Sequence, residues 1–248
     1  MKRHVEFESN GLTLRGYLHM PNTVTEKVPL VCMFHGFTSN KMEDHFYYVR
    51  LSKRLEKLGI ASLRMDFGNS GESDGNFENM TPSCEINDAI NIVEYGKTIP
   101  NIDLDRIGLI GSSMGGMIAG IVASELKDDI KCLCLISPAA NIEQIMSDYF
   151  ENGNRIADIN GLLFSRDAFD EMKTISTYER AKGFKGEVLI AHGTKDEAVP
   201  NEFGKKYKDI YGEKVNFVDI EDGNHILSSR KWEMQLSDAI IEFFTSKF

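Results

Sequence analysis

The chain has 248 residues, and its 28 basic and 38 acidic side chains give a formal net charge of −10. Such a charge keeps a protein in solution and disfavours nucleic acid or an anionic membrane as a partner. The N-terminus lacks the apolar stretch of a signal peptide, and no apolar run approaches the 18 or so residues of a membrane helix. We therefore predict one domain over residues 1–248, without membrane insertion.

The cysteines predict neither disulfides nor a metal site. Cys32, Cys132 and Cys134 stand in apolar, strand-like runs, where cysteine behaves as a small buried hydrophobe. Cys132 and Cys134 share a strand face, but no histidine or further cysteine lies nearby to complete a set of metal ligands. These cysteines indicate a reduced, cytoplasmic protein.

The first element in chain order is a hairpin, because two alternating runs flank Asn10-Gly11. Short apolar runs then predict parallel strands at 28–36, 60–67, 106–111, 130–137, 186–193 and 215–221. Amphipathic stretches predict helices at 48–59, 81–98 and 232–248, and a further helical run follows Ser113. Strands that alternate with helices predict an α/β fold: a mostly parallel, doubly wound sheet led by an antiparallel hairpin.

One segment is too long for a single crossover helix. Between the strands predicted at 130–137 and 186–193 lie Met and several aromatic residues, without a flexible linker. We interpret about 139–184 as a small cap inserted into the domain.

The stretch Gly111-Ser112-Ser113-Met114-Gly115 contains a candidate nucleophile. Only Ser113 has glycine at both second neighbours, which gives the pattern G-x-S-x-G. A nucleophile on a sharp strand-to-helix turn needs this spacing, because side chains at the two flanking positions would clash. Chance produces the pattern in roughly one chain in ten of this length. The strand before it and the helix after it are the context that the chemistry requires.

A serine nucleophile needs a general base, and the base needs an orienting acid. Among the six histidines, His225 follows the last predicted strand, where a parallel sheet places its active site. His35 and His192 stand at strand ends that favour loop support, and His45 is expected at the surface or a pocket rim. Asp196 occupies the corresponding loop one strand earlier than His225, with Asp219 and Asp222 as alternatives.

The order Ser113, Asp196, His225 resembles that of the α/β hydrolases over essentially the whole chain. The stretch HGFTSNK is similar to the oxyanion loop of that superfamily, which implies the amides of Phe37 and Met114 as oxyanion donors. RMDFGNSGESDG is similar to a structural segment of the same superfamily, with Asn69 and Ser70 where Gly-His is common.

HGFT, SDG, SPAA, HGTKDEAVP and the short cap together look most like the bacterial cinnamoyl (feruloyl) esterases. That resemblance implies an aromatic acyl pocket under the cap, where Asp148, Tyr149, Phe164 and Tyr178 either line the pocket or pack the cap onto the core. Exposed cap aromatics would also suit a homodimer contact.

The expected activity is that of a serine esterase on a small-molecule ester, with no metal and no cofactor. A monoacylglycerol lipase or lysophospholipase, a peptidase or amidase, and a non-catalytic binding protein are the alternatives. An aspartate nucleophile, as in haloalkane dehalogenases, is disfavoured because position 113 is serine.

Overall fold

The computed structural model describes residues 1–22, 26–151 and 153–248. Its strands, in chain order, are β1 (Lys2–Ser9), β2 (Leu12–His19), β3 (Val28–Phe34), β4 (Ala61–Met65), β5 (Ile102–Ser112), β6 (Cys132–Ile136), β7 (Ile156–Ile159), β8 (Leu162–Ser165), β9 (Glu187–Gly193) and β10 (Val215–Ile220). Eight of them form one sheet in the order β1-β2-β4-β3-β5-β6-β9-β10. The β1–β2 and β2–β4 pairs are antiparallel and the others are parallel, so the predicted fold class is confirmed.

Helices cover both faces of the sheet. They are α1 (Tyr47–Lys57), α2 (Pro82–Thr98), α3 (Met114–Leu126), α4 (Ile142–Phe150), α5 (Arg166–Met172), α6 (Thr177–Ala181), α7 (Asn201–Tyr211) and α8 (Arg230–Lys247). On β5, Leu109 packs into the core that includes α2 and α3, whereas Ile110 packs into the core that includes α1 and α8. Since neighbouring side chains of a strand point to opposite faces, residues 107–110 of β5 are buried on both faces of the sheet.

The turn residues predicted for the hairpin and for the start of the second helix are in the expected conformations. Asn10 and Gly11 both have positive φ, as a two-residue hairpin turn requires. The Thr81 hydroxyl accepts from the Cys84 amide at 3.2 Å and begins α2, with Pro82 in its first turn.

The central strand is longer than predicted. β5 begins at Ile102 rather than at Arg106, because Ile102 pairs with Val28 ahead of a register shift. A search for apolar runs does not find this pairing, because polar residues lie between 102 and 106. The partner strand also lies far away in the sequence.

The segment 139–184 holds α4, the antiparallel pair β7–β8, α5 and α6. Within it, Phe164 is fully buried against Phe150, Phe37 and Phe77. Within the described residues, no helix combines the length and the apolar character needed to cross a bilayer.

Candidate active site

Ser113 stands on a strained turn between the end of β5 and the start of α3. Its φ of 54° and ψ of −120° lie outside the regions that a residue with a Cβ readily adopts. A Cβ on Gly111 would stand 2.0 Å from the Gly115 carbonyl oxygen, and a Cβ on Gly115 would stand 2.3 Å from the Phe34 carbonyl oxygen. The two glycines are therefore required by close contacts between backbone segments, as the G-x-S-x-G spacing predicts.

We expect Gly115→Ala to destabilise the fold by about 3 kcal/mol, because the added methyl meets backbone carbonyls that cannot move aside easily. Gly120→Ala, on the same helix, is the matched control. Its methyl would meet side chains alone, with the Tyr211 hydroxyl at 3.1 Å, the Ala181 methyl at 3.5 Å and Tyr207 Cε1 at 3.6 Å as its nearest contacts, so we expect a change within about 1 kcal/mol. Urea unfolding of both variants measures the difference, and equal midpoints would contradict the clash.

Three side chains from three different loops meet at the carboxyl end of the sheet. Ser113 Oγ lies 3.0 Å from His225 Nε2, and His225 Nδ1 lies 2.8 Å from Asp196 Oδ2. Asp196 follows β9 and His225 follows β10, so adjacent parallel strands bring them together. The structure thus places the predicted nucleophile, base and acid in one chain of hydrogen bonds.

The surroundings of Asp196 keep its carboxylate ionised. Burial alone would raise its pKa, but hydrogen bonds from His192 and His225 hold the pKa well below its ordinary value. The Val199 amide donates to the other carboxylate oxygen at 2.8 Å. Since an ionised carboxylate only accepts, His225 carries its proton on Nδ1 and leaves Nε2 free to accept the Ser113 proton.

The two alternative acids point elsewhere. Asp219 accepts from the Asn201 side chain at 3.1 Å, and Asp222 forms an ion pair with Lys195 at 2.7 Å. Both residues are close to His225 in sequence, but Asp196 is the acid that contacts its ring.

Phe37 lines the same cavity as Ser113, and Met114 follows Ser113 directly in the chain. Met114 is the first residue of α3, so its N–H has no partner within the helix. Within the described residues, the backbone hydrogen bonds of the turns and loops leave the Phe37 amide unoccupied as well. Both amides are available to a negatively charged oxygen.

His35 supports the Phe37 loop. The Phe67 amide donates to His35 Nε2 at 3.1 Å, so the ring proton is on Nδ1 and is donated to the Gly36 carbonyl at 2.9 Å. The Ser39 amide donates to the same carbonyl at 3.1 Å. In a trans peptide the Gly36 C=O and the Phe37 N–H point in opposite directions, so fixing one fixes the other. Burial lowers the pKa of His35, which keeps it neutral.

A cavity of about 320 Å³ opens beside Ser113 and His225. Its lining comprises residues 36–39, 43–45, 112–113 and 225–230, with Tyr47, Arg50, Ile136, Glu233 and Leu236. We call it the site cavity. It lies between the Phe37 loop and the turn that begins α8, and His45 is at its rim.

The four residues expected to shape an acyl pocket lie outside this lining. Asp148 and Tyr149 are exposed on α4, and Phe164 is buried in the aromatic cluster. Tyr178 packs edge-on against Tyr207, and its hydroxyl donates to the Phe203 carbonyl. The packing of Phe164 and Tyr178 fits the alternative that these residues pack the cap onto the core, and an acyl pocket formed by the four residues stays a prediction.

Sequence reasoning missed Glu43, Arg50, Arg230 and Glu233 as lining residues. Arg50 pairs with Glu233 at 2.7 Å across the cavity wall. Burial raises the pKa of the Glu43 carboxyl to about 7, although a hydrogen bond from the Gly36 amide opposes that change. Glu43 stands in a polar loop that gives no local sign of which side chain turns inward. Arg50, Arg230 and Glu233 lie on helices, where a polar residue at a cavity has the same sequence pattern as one in solvent.

The sequence pattern of the prolyl oligopeptidase family matches residues 55–248. The chain belongs to the prolyl oligopeptidase family. The matched residues include Ser113, Asp196 and His225, and they begin after the Phe37 loop.

Known structures and sequences agree with this family and with the fold. Est1E from Butyrivibrio proteoclasticus, solved with ferulic acid bound, is 28% identical and superimposes with a TM-score of 0.89 over 98% of both chains. The match confirms the α/β-hydrolase fold and the resemblance to α/β-hydrolase esterases. This family member is an α/β hydrolase.

Two sequence relatives align with this chain over only part of their own length. Monoacylglycerol lipase ABHD6 from Homo sapiens is 24% identical over 76% of this chain and 55% of the lipase. A 31.7 kDa protein of the traX-finO intergenic region of Escherichia coli is 30% identical over 46% of this chain and 38% of that protein. The chain therefore spans less than two thirds of the length of these relatives.

Proposed function

We propose that this member of the prolyl oligopeptidase family is a serine carboxylic-ester hydrolase that acts through an acyl-enzyme on Ser113. The observation that carries the proposal is the pair of hydrogen bonds from Ser113 to His225 at 3.0 Å and from His225 to Asp196 at 2.8 Å. A buried, ionised Asp196 orients the ring and stabilises the imidazolium that forms when His225 takes the serine proton.

The reaction follows from these contacts. Ser113 Oγ attacks the ester carbonyl as its proton moves to His225 Nε2, and the carbonyl oxygen becomes an oxyanion. The amides of Phe37 and Met114 donate to that oxyanion. Preorganised donors at a developing negative charge usually make the largest single contribution to the rate of such reactions. His225 then protonates the leaving alcohol, and a water that His225 deprotonates releases the acid from Ser113.

We further propose a cinnamoyl, feruloyl or other small ester as the substrate, with its bulk in the site cavity. Est1E, which was solved with ferulic acid, supports an aromatic acyl group. Tyr47, Ile136 and Leu236 supply apolar lining beside Ser113, and the cavity volume is in the range of small-molecule pockets. These three residues come from α1, β6 and α8, and a pocket at the cap residues stays a separate prediction.

Two other activities have specific support. The family name favours a peptidase or amidase, and ABHD6 favours monoacylglycerol hydrolysis. An amide requires protonation of a poorer leaving group, so a matched pair of esters and anilides of one acyl group separates the first from an esterase.

A hydrolysis panel tests the substrate. We expect methyl ferulate and methyl caffeate to be turned over at least tenfold faster, in kcat/KM, than an anilide of the same acyl group or a long-chain monoacylglycerol, which is a difference of about 1.4 kcal/mol in transition-state binding. Ser113→Ala is the blank for every substrate. Turnover confined to monoacylglycerol, or faster cleavage of the anilide, would overturn the proposed substrate while leaving the nucleophile in place.

A further inference from the structure

Glu43 is an acidic residue in the wall of the site cavity, and it contacts the Phe37 loop directly. Its Oε1 accepts from the Gly36 amide at 2.5 Å, and its Oε2 lies 3.3 Å from the Asp44 amide. Glu43 reaches across from a turn seven residues farther along the chain. This contact joins the loop that carries Phe37 to the turn that precedes α1.

The backbone of Glu43 is held in an unusual conformation to make this contact. Its φ is 56° and its ψ is 171°, a region that residues with a Cβ avoid. The Glu43 amide donates to the Asn40 carbonyl at 2.9 Å, which fixes the turn. Strain of this kind persists only where surrounding contacts determine the conformation, and it is concentrated at functional sites.

The contact completes the support of the Gly36 residue. The Gly36 carbonyl is held by His35 and Ser39, and Glu43 holds the Gly36 amide. With both ends of Gly36 fixed, the next peptide has one orientation, and the Phe37 N–H points away from the held carbonyl. The position of a Cβ on Gly36 would be 3.3 Å from Ser113 Cβ and 3.6 Å from Glu43 Oε1, so this support lies next to the nucleophile.

We propose that Glu43 is a positioning residue that holds the Gly36 amide and thereby keeps the Phe37 amide directed at the oxyanion. The inference rests on the proposed function, because it assigns a role in the same reaction. Glu43 acts through Gly36 and Phe37 and does not itself contact the reacting atoms. What matters is an oxygen acceptor at this place, so a neutral side chain of the same shape satisfies it.

Two substitutions separate the acceptor from the charge. Glu43→Gln keeps an oxygen for the Gly36 amide, and Glu43→Leu keeps a similar volume without one. We expect kcat of the Leu variant on methyl ferulate to fall at least tenfold with KM within about twofold, since the oxyanion forms only in the transition state. We expect kcat and KM of the Gln variant to stay within about threefold of the wild-type values.

Inhibition by a transition-state analogue measures oxyanion binding separately from a general loss of structure. An aryl trifluoromethyl ketone forms a tetrahedral oxyanion adduct with serine, so its Ki should weaken in the Leu variant in proportion to kcat/KM. Coniferyl alcohol, which keeps the aromatic group but has neither a carbonyl nor a carboxylate, should inhibit wild type and both variants with similar Ki. Circular dichroism and thermal unfolding establish that each variant is folded.

The outcomes are distinct. A Leu variant with wild-type kcat overturns the role of Glu43, provided that Ser113→Ala is inactive. A Gln variant as slow as the Leu variant shows that charge matters rather than the acceptor, which also overturns it. An active Ser113→Ala enzyme overturns the proposed function itself and is recognised independently of Glu43.

Discussion

Replacing Ser113 with alanine is expected to reduce ester hydrolysis about 10⁶-fold, to the background left by binding and the oxyanion amides. The substitution removes the oxygen that forms the acyl-enzyme and leaves His225 and Asp196 in place. Its effect on the free energy of unfolding should stay within about 1 kcal/mol, because one partly exposed hydroxyl with a single partner is lost. Initial rates on a p-nitrophenyl ester, together with thermal unfolding, measure both effects.

Ser112→Ala is the matched control for that experiment. Ser112 is the last residue of β5, adjacent to Ser113, and the spacing of the motif gives it no part in catalysis. A Ser113→Ala enzyme that hydrolyses the ester at the wild-type rate would remove Ser113 from the mechanism.

The second large effect is expected at Asp196. Asp196→Asn should lower kcat about 10⁴-fold in a folded protein, because an amide that donates toward His225 favours the wrong ring tautomer. The proton then moves to Nε2, and the ring can no longer accept the proton of Ser113. Steady-state kinetics on the same ester, with circular dichroism as a check of folding, measures the loss.

Asp219→Asn and Asp222→Asn are the controls, since both carboxylates bond to partners other than His225. We expect them to keep activity within about threefold of wild type. If either of them is the crippled variant and Asp196→Asn is active, the acid has been misassigned.

Acid titration adds a second readout for Asp196. Because folding lowers its pKa, the ionised side chain contributes stability above its unfolded pKa of about 3.9, and this contribution is lost as the pH falls through the lower folded value. Asp196→Asn lacks the contribution at every pH. The difference in the free energy of unfolding between wild type and this variant should therefore shrink as the pH decreases below about 4.

The parts of the fold that sequence predicts are those with a local cause. Asn10 and Gly11 take positive φ on their own, and Thr81 begins α2 with its own hydroxyl. The start of β5 is different: Ile102 becomes a strand residue only because Val28, far away in the chain, pairs with it. Propensity and periodicity carry no information on such a partner.

The same distinction applies to the site. Ser113, Asp196 and His225 follow from motif spacing and strand order, because parallel strands end at one edge of the sheet. The position of the cavity does not follow. Phe164 is an aromatic residue in a plausible cap, and only its packing against Phe37, Phe77 and Phe150 shows that it fills the core.

Glu43 illustrates what pattern reasoning misses. Its role depends on a positive φ at a residue that seldom adopts it and on a bond to Gly36 across a turn. Nothing in the polar stretch that contains it separates this glutamate from Asp44, which is exposed beside it. Side-chain direction in an irregular turn is set by the whole fold.

Labelling with a fluorophosphonate tests the central claim most directly, because the probe reacts only with a serine that a neighbouring base activates. Intact-mass analysis and peptide mapping after brief exposure should show one adduct, on Ser113, in wild type and in Ser112→Ala. The adduct should be absent from Ser113→Ala and strongly slowed in a folded His225→Ala variant. A folded wild-type protein that stays unlabelled, or one that carries its adduct at a residue other than Ser113, would contradict the account.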